Sequence, residues 1–565
     1  VVSRAQTPAE RFWLVGLAAL VGLLALWPLL RLGYEAVAPR GGGFDLAIAT
    51  RILSAPSTWN AAWRTLETAL LGTCVSLVLG AGFALLLVLT DIRAKSALVF
   101  LFVLPLVVPS QIAALAWMNM AGPQSALLGA VGLAPPPGSA NPMLGRGGIS
   151  WLLGLEHAPL VFLAVRAGLL ALPREAIEAA RACGASYART LATIVAPMLA
   201  PALLAGTLLA FVSSVGNFGT PALLGIPVGY NTLVTLIYQR LAGFGTAVLA
   251  QAAVLSAIIG VFALAVLWLQ GRAARQFDAR ILGASQRPGI VALGRARVAI
   301  EVGVWALLIL ISVVPFVALL ASALVPAIGV PLGLDTLSFA AFGEVLRQPV
   351  VASAFGNSFL LSAIAAGICV GAALPLGYFA AWRPSALSRA ASAVAELPYA
   401  LPGIVLAIAC ILTFIRPLPL LNVSIYGTLW IIAIAYVARF LVLALRPIAA
   451  SFAQIDPALD DAAAAAGAGF FRRLRTIMLP LAAPAAGAGA ILVFLTALNE
   501  LTVSALLWSS GSQTLGVIVF SLQEGGDSPL AAAVSIVAIG VVVALMGVLS
   551  LFARRLPPGT LPWTA

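Results

Sequence analysis

Twelve apolar runs punctuate this chain of 565 residues, six between residues 12 and 270 and six between residues 299 and 553. The hydrocarbon core of a bilayer is about 30 Å thick and takes about 20 helical residues to cross. The runs reach that length. Inside lipid every backbone N–H and C=O must be paired within the segment or with a closed barrel, so such runs fold as helices. Composition agrees: 62% of residues are apolar and 9% are charged, against about 25% charged in an ordinary soluble domain. A water-facing surface cannot be built from so few charges. Disorder requires low hydrophobicity and is excluded. Four cysteines are too sparse for a small disulfide scaffold. The sequence predicts an all-α polytopic membrane protein with about twelve transmembrane helices.

The net charge of +12 is explained by topology rather than by nucleic acid. Sorted by side of the membrane, 21 basic residues fall on one side, eight on the other, and Arg166 and Arg439 lie inside runs. The excess places both termini in the cytoplasm. A cleaved signal peptide is not expected, since the first run is long and no small-residue cleavage site follows.

The chain also repeats. Pro105 and Pro109 lie early in the third run, and Pro398 and Pro402 early in the ninth. All four are expected to kink or break their spans. Between runs four and five stands Glu178-Ala179-Ala180, with Gly184, Ile194 and Pro197 at fixed spacing. Between runs ten and eleven stands Asp461-Ala462-Ala463, with Gly467, Ile477 and Pro480 at identical spacing, 283 residues on. Six spans per half give two parallel repeats. The predicted organisation is residues 1–270, a basic cytoplasmic linker at 271–298, and residues 299–565.

Each matched loop reads as a short helix, a turn at Gly184 or Gly467, and a second helix (residues 187–195 in the first copy) before a proline that opens the next span. Arg189, and Arg472, Arg473 and Arg475, give the loops a basic face. A lipid-surface contact is the other reading of those arginines.

The pattern E-A-A-x3-G-x9-I-x-L-P resembles the cytoplasmic signature of permease subunits of binding-protein-dependent ABC importers, of the type I kind. Ala196 stands where the first copy would have Leu, and Asp461 where the second would have Glu. The resemblance covers essentially the whole chain as two fused six-span domains. It implies that the loops are coupling helices seated in clefts of two ATPase subunits, and that ATP and Mg lie on those partners. It also implies a periplasmic binding protein that delivers the cargo, and a place in the bacterial inner membrane. Docking residues by that implication are Glu178, Ala179, Ala180, Gly184 and Arg189, then Asp461, Ala462, Ala463, Gly467 and Arg472. The fused format resembles the ferric-iron type and its relatives for thiamine and 2-aminoethylphosphonate. The stretch Asn217-Phe218-Gly219 looks like the ferric type, with Asn217 where an acidic residue often stands. Asn499-Glu500-Leu501-Thr502 occupies the matching place in the second half. Ferric iron is the expected cargo, with thiamine, phosphonate or polyamine as alternatives.

Ionisable groups inside spans default to functional hypotheses. Glu500, flanked by Asn499 and Thr502, reads as deep in run eleven (residues 481–508). Its counterpart Asn217 reads as deep in run five (residues 198–224), with Ser213 and Ser214 one turn earlier. Two readings stand: a pathway lining, or helix contacts with Glu500 paired to an arginine. Arg166 and Arg439 are the candidate arginines for Glu500; Arg439, mid-span, needs a carboxylate or backbone carbonyls, and Glu396 is another candidate carboxylate for it. Glu156-His157 is expected at the interface, and one His with one Glu is a poor metal site.

No G-x-x-x-x-G-K-[ST] motif occurs, so the chain is read as a transport subunit and not an enzyme. No cofactor or metal is expected on it. The rival class is a secondary transporter of the major-facilitator type, which also has two parallel six-span halves. It lacks a doubled Glu-Ala-Ala loop.

Overall fold

A computed structural model describes residues 7–39, 44–243, 247–276, 291–417 and 422–551. Among the described residues there is no strand, only an isolated bridge between Thr90 and Val291. Much of the predicted linker, residues 277–290, lies outside the described residues, as do Arg4, Arg40 and Arg554.

Among the described residues, ten helices are long and apolar enough to cross a membrane. Two more spans are broken. Lys95–Leu106 and Ser110–Ala130 meet at a bend of 100°, and Ala386–Ala400 and Gly403–Phe414 at 109°. Both are required by the neighbours. Gly72 sits beside Leu153 and Gly80 beside Val161, so Pro56–Leu89 and Arg146–Leu170 run parallel and the chain between them must cross back. The second half does likewise: Cys369 meets Val437 and Gly377 meets Ile448. With these two broken pairs the described residues hold twelve candidate spans, within the ten to thirteen that length and composition allow.

The bends lie at Pro109 and Pro402. Each proline caps the following limb and forces the residue before it out of the helical region, Val108 to ψ 134° and Leu401 to ψ 148°. Pro105 and Pro398 stay inside the preceding limbs. The break thus belongs to one proline of each pair.

Two expected spans end earlier than drawn. The helix of span five, Tyr187–Gly216, stops at Asn217, and that of span eleven, Phe470–Leu498, stops at Asn499. Side chains there bond to the freed backbone. After the first break the chain rises as Gly219–Val228 to residues 64–67 and 145, where Arg64 donates to the Gly229 carbonyl at 2.8 Å and Gly145 to that of Leu224 at 2.7 Å. It then re-enters as Leu233–Leu241, which brings Tyr238 back to within 5.1 Å of Phe218. The second half repeats this with Ser504–Leu507 and Leu515–Glu524.

Spans five and eleven also begin earlier than expected. The second loop helix is the first turn of the span itself, joined through a π-helical segment: Leu191–Val195 before Pro197, and Leu474–Met478 before Pro480. A third such segment, Gly22–Leu26, precedes Pro28. In each case the widened turn ends two residues before the proline. That spacing fits the cause, because proline lacks an N–H and its ring crowds the carbonyl four residues back.

Spans pack through small residues. A Cβ on Gly80 would collide with the Ala158 carbonyl and lie 2.8 Å from Val161 Cβ; glycine permits that approach. At the foot of span two, Lys95 donates to the carbonyls of Leu87 and Thr90 at 2.5 and 2.8 Å, closing the helix end. The chain returning from the linker docks here. Val291 donates to the Leu89 carbonyl at 2.7 Å and Leu293 to Asp91 at 3.0 Å. The Leu293 N–H, aided by Arg297, holds the Asp91 carboxyl below the usual carboxylate range.

Candidate functional site: two loops and a central gate

The paired loops share one backbone. Arg174–Ala182 is a helix closed by Gly184 at φ +81°, and Ala458–Ala465 is closed by Gly467 at φ +82°. In each the residue after the glycine donates five residues back, Ala185 to Ala180 at 3.1 Å and Ala468 to Ala463 at 3.0 Å. The glycine itself donates three back, to Arg181 and to Ala464, at 3.0 Å. This is a Schellman turn, which needs the left-handed region and therefore glycine. Glu178, Ala179, Gly184 and Arg189 are exposed, and Ala180 half-buried. In the second copy Ala462, Gly467 and Arg472 are exposed, and Asp461 and Ala463 half-buried.

The basic triplet does not act as a unit. Arg472 and Arg475 are exposed, whereas Arg473 is buried. It pairs with Glu10 at 2.6 Å and Asp460 at 2.7 Å. Arg383 pairs with Asp460 and Asp461, both at 2.9 Å, and the Tyr378 hydroxyl lies within hydrogen-bond distance of Glu10 and Asp460, at 2.9 and 3.1 Å. Successive helix residues point about 100° apart, so neighbours in sequence face different surroundings.

The spans break where the halves meet. At the first break Asn217 donates to Glu156 at 3.0 Å and accepts from the Thr220 N–H at 3.1 Å, and the Thr220 hydroxyl donates to Glu156 at 2.9 Å. Glu156 and His157 are therefore buried mid-helix and not interfacial; Ser214 bonds His157 at 3.1 Å. At the second break Glu500 lies 3.9 Å from Arg439 and accepts from the N–H groups of Thr502 and Val503 at 2.9 and 3.0 Å. Arg439 thus pairs with Glu500, while Glu396 pairs with Arg446 at 3.5 Å. Glu156 and Arg439 are 283 residues apart, as are Asn217 and Glu500. One brace has been written twice with different chemistry.

These braces turn Asn217, Ser214 and Glu500 toward helix contacts. Ser213 and Thr502 are half-buried, and Thr502 lies against Gly403, where a Cβ would be 3.1 Å from its own. Asn499 instead lines a small cavity between the halves, with Pro109, Gln111, Leu498 and Gly516. Across the pseudo-twofold, Gly216 (the counterpart of Asn499) sits 3.4 Å from Pro402 when given a Cβ. The broken end of each half thus abuts the bent proline of the other. Gln111 was missed in the sequence, although an amide two residues past a span-breaking proline is a readable signal. Among the described residues no cluster of three or more His, Cys, Asp or Glu could hold a metal ion.

Comparison with known proteins supports this architecture. The family described as binding-protein-dependent transport system inner membrane component matches residues 72–278 and 373–561. A probable ABC transporter permease protein, y4fN, of Sinorhizobium fredii is 29% identical over 92% of this chain and 90% of its own length. The Fe(3+)-transport system permease protein FbpB 2 of Haemophilus influenzae is 26% identical over 92% and 94%. A putative 2-aminoethylphosphonate transport system permease protein, PhnV, of Salmonella typhimurium is 28% identical over 29% of this chain and 61% of its own. These matches do not favour the secondary-transporter reading, and they describe transport permeases rather than enzymes. The twice-matched family, the twelve spans and the doubled loop lead to one conclusion: this chain belongs to the binding-protein-dependent ABC transport permeases, whose partners are an ATPase and a substrate-binding protein.

Proposed function

We propose that this chain forms the translocation pathway of a ferric-iron importer of the inner membrane, with both termini in the cytoplasm. Two ATPase copies, carrying ATP and Mg, engage the loops at Glu178 and Asp461. The observation that carries the coupling role is the doubled, glycine-closed loop on the side with the basic excess. Support for iron comes from relatives whose names specify ferric transport and which span most of the chain. Cleft closure on ATP would move both loops as rigid elbows, and the continuous helices Tyr187–Gly216 and Phe470–Leu498 would carry that motion to the breaks at the gate.

The test is uptake of radiolabelled ferric iron into proteoliposomes containing the chain, its ATPase and its binding protein. ATP-dependent iron uptake that ignores excess thiamine, 2-aminoethylphosphonate and spermidine is the expected result. Uptake of one of those solutes in place of iron would overturn the cargo assignment. Uptake driven by an ion gradient without the ATPase would overturn the coupling assignment.

A further inference from the structure

Gln111 has no role in the two braces, yet it sits where the two halves meet. It is the second residue of Ser110–Ala121, just past the bend at Pro109, and is 1% exposed. Neither its amide nitrogen nor its amide oxygen has a hydrogen-bond partner among the described residues. Buried side-chain amides are nearly always bonded, so the exception asks for a cause.

Its surroundings supply one. The amide tip lies between two glycines, one from each half. A Cβ on Gly219 would sit 3.3 Å from Gln111 Oε1, and one on Gly516 would sit 3.1 Å from Nε2. The side chain also lines the cavity that Asn499 and Pro109 share, which is sized for about one water molecule. The counterpart of Gln111 in the second half, 293 residues on, is Ile404. If the position served packing alone, an aliphatic residue would suffice there too. Both nearby carboxylates are engaged elsewhere, Glu156 by Asn217 and Thr220, and Glu500 by Arg439 and backbone N–H groups.

We propose that Gln111 is a cargo-contacting residue of the central gate, whose amide donates to and accepts from a polar solute when the two halves part. Separation of Gly219 from Gly516 frees both ends of the amide at once. Such a constriction passes solutes that present hydrogen-bonding oxygen or nitrogen atoms. It offers a neutral amide to them and no free carboxylate. For ferric iron, a cargo that rests on the proposed function, the ion would cross within its oxygen ligands rather than bare.

The experiment uses the full complex in proteoliposomes. Gln111→Leu should lower radiolabelled iron delivered per ATP hydrolysed about tenfold, and Gln111→Asn should recover part of the ratio. A packing role would lower uptake and hydrolysis together and leave the ratio unchanged, which would overturn the proposal. A second readout needs no cargo. Gln111→Cys, in a chain whose exposed Cys74 and Cys183 are replaced by serine, should resist a membrane-impermeant maleimide at rest and react during ATP turnover. A thiol protected in every state would equally overturn the gate role. Failure of the wild type to carry iron would sink the ferric reading alone, because the thiol result still decides Gln111.

Discussion

At the loop after span four, the Arg181 guanidinium lies 3.7 Å from the centre of the exposed Tyr187 ring and donates to the Ala185 carbonyl at 2.8 Å. At the loop after span ten, the equivalent ring, Phe470, is buried and stacks on Phe379 at 5.6 Å. Beneath it Glu10, Arg473, Asp460 and Arg383 form a buried ionic cluster that ties the loop to the first helix of the chain. The first loop has Ile177 where the second has Asp460, and Thr190 where it has Arg473. Two elbows of the same backbone are therefore held differently, the first by an exposed contact within the loop itself and the second by buried charge that reaches other helices. Buried charge pairs resist displacement more than an exposed cation–π contact does, so the second elbow is expected to be the harder to shift.

The largest effect should come from Arg473→Met, which takes from buried Glu10 the cation it pairs with and leaves Asp460 with Arg383 alone. Breaking a buried pair by removing one partner costs about 3–5 kcal/mol. Thermal unfolding in detergent and proteolysis of residues 455–470 should both show it, whereas Thr190→Val at the matching place should shift neither. Equal responses from the two variants would break the comparison. Next come the braces at the two span breaks. Glu500→Leu leaves the half-buried Arg439 without its carboxylate, at about 3 kcal/mol. Asn217→Leu removes a neutral hydrogen bond, at about 1–3 kcal/mol. A melting series in which Asn217→Leu is the costlier would reverse that ranking.

The turns themselves should behave alike. Gly184→Val and Gly467→Val force a β-branched residue into the left-handed region, at roughly 1–2 kcal/mol each. Both should lower iron uptake per ATP hydrolysed, and intact coupling in the double variant would contradict the docking role. Smaller still is Arg181→Ala, about 0.5–1 kcal/mol for an exposed cation–π contact, seen as faster hydrogen exchange at residues 183–190 only. The smallest effect is at Asp91. Its folded carboxyl is more acidic than the unfolded value of about 3.9. Its contribution is thus complete above that pH and fades as pH falls below it toward the folded value. Asp91→Asn at neutral pH should reproduce the acid-induced loosening of the Leu293 amide in hydrogen exchange.

The spans, their number and the paired loops were legible because each rests on a local pattern: apolar length, repeated spacing, glycine before a proline-led helix. The ends of spans five and eleven were not. Asn217 and Glu500 interrupt hydrophobic stretches that continue beyond them, and only the partners Glu156 and Arg439 show why the helix stops there. Those partners lie 61 residues away in each half, so the pairing is tertiary. Arg473 was misread for a related reason. Its sequence neighbours are exposed arginines, and its acid partner Glu10 is 463 residues away.

The π-helical segments ahead of Pro197 and Pro480 carry one more consequence. A π turn holds an extra residue within a helix, which shifts the phase of the turns before it by about 100° relative to the turns after it. Tyr187–Thr190 and Phe470–Arg473 are therefore rotated against the spans they lead into, by the same step in both halves. Deleting one residue from 191–195 or from 474–478 would restore a plain helix and swing the matching face about a quarter turn away from its present bearing.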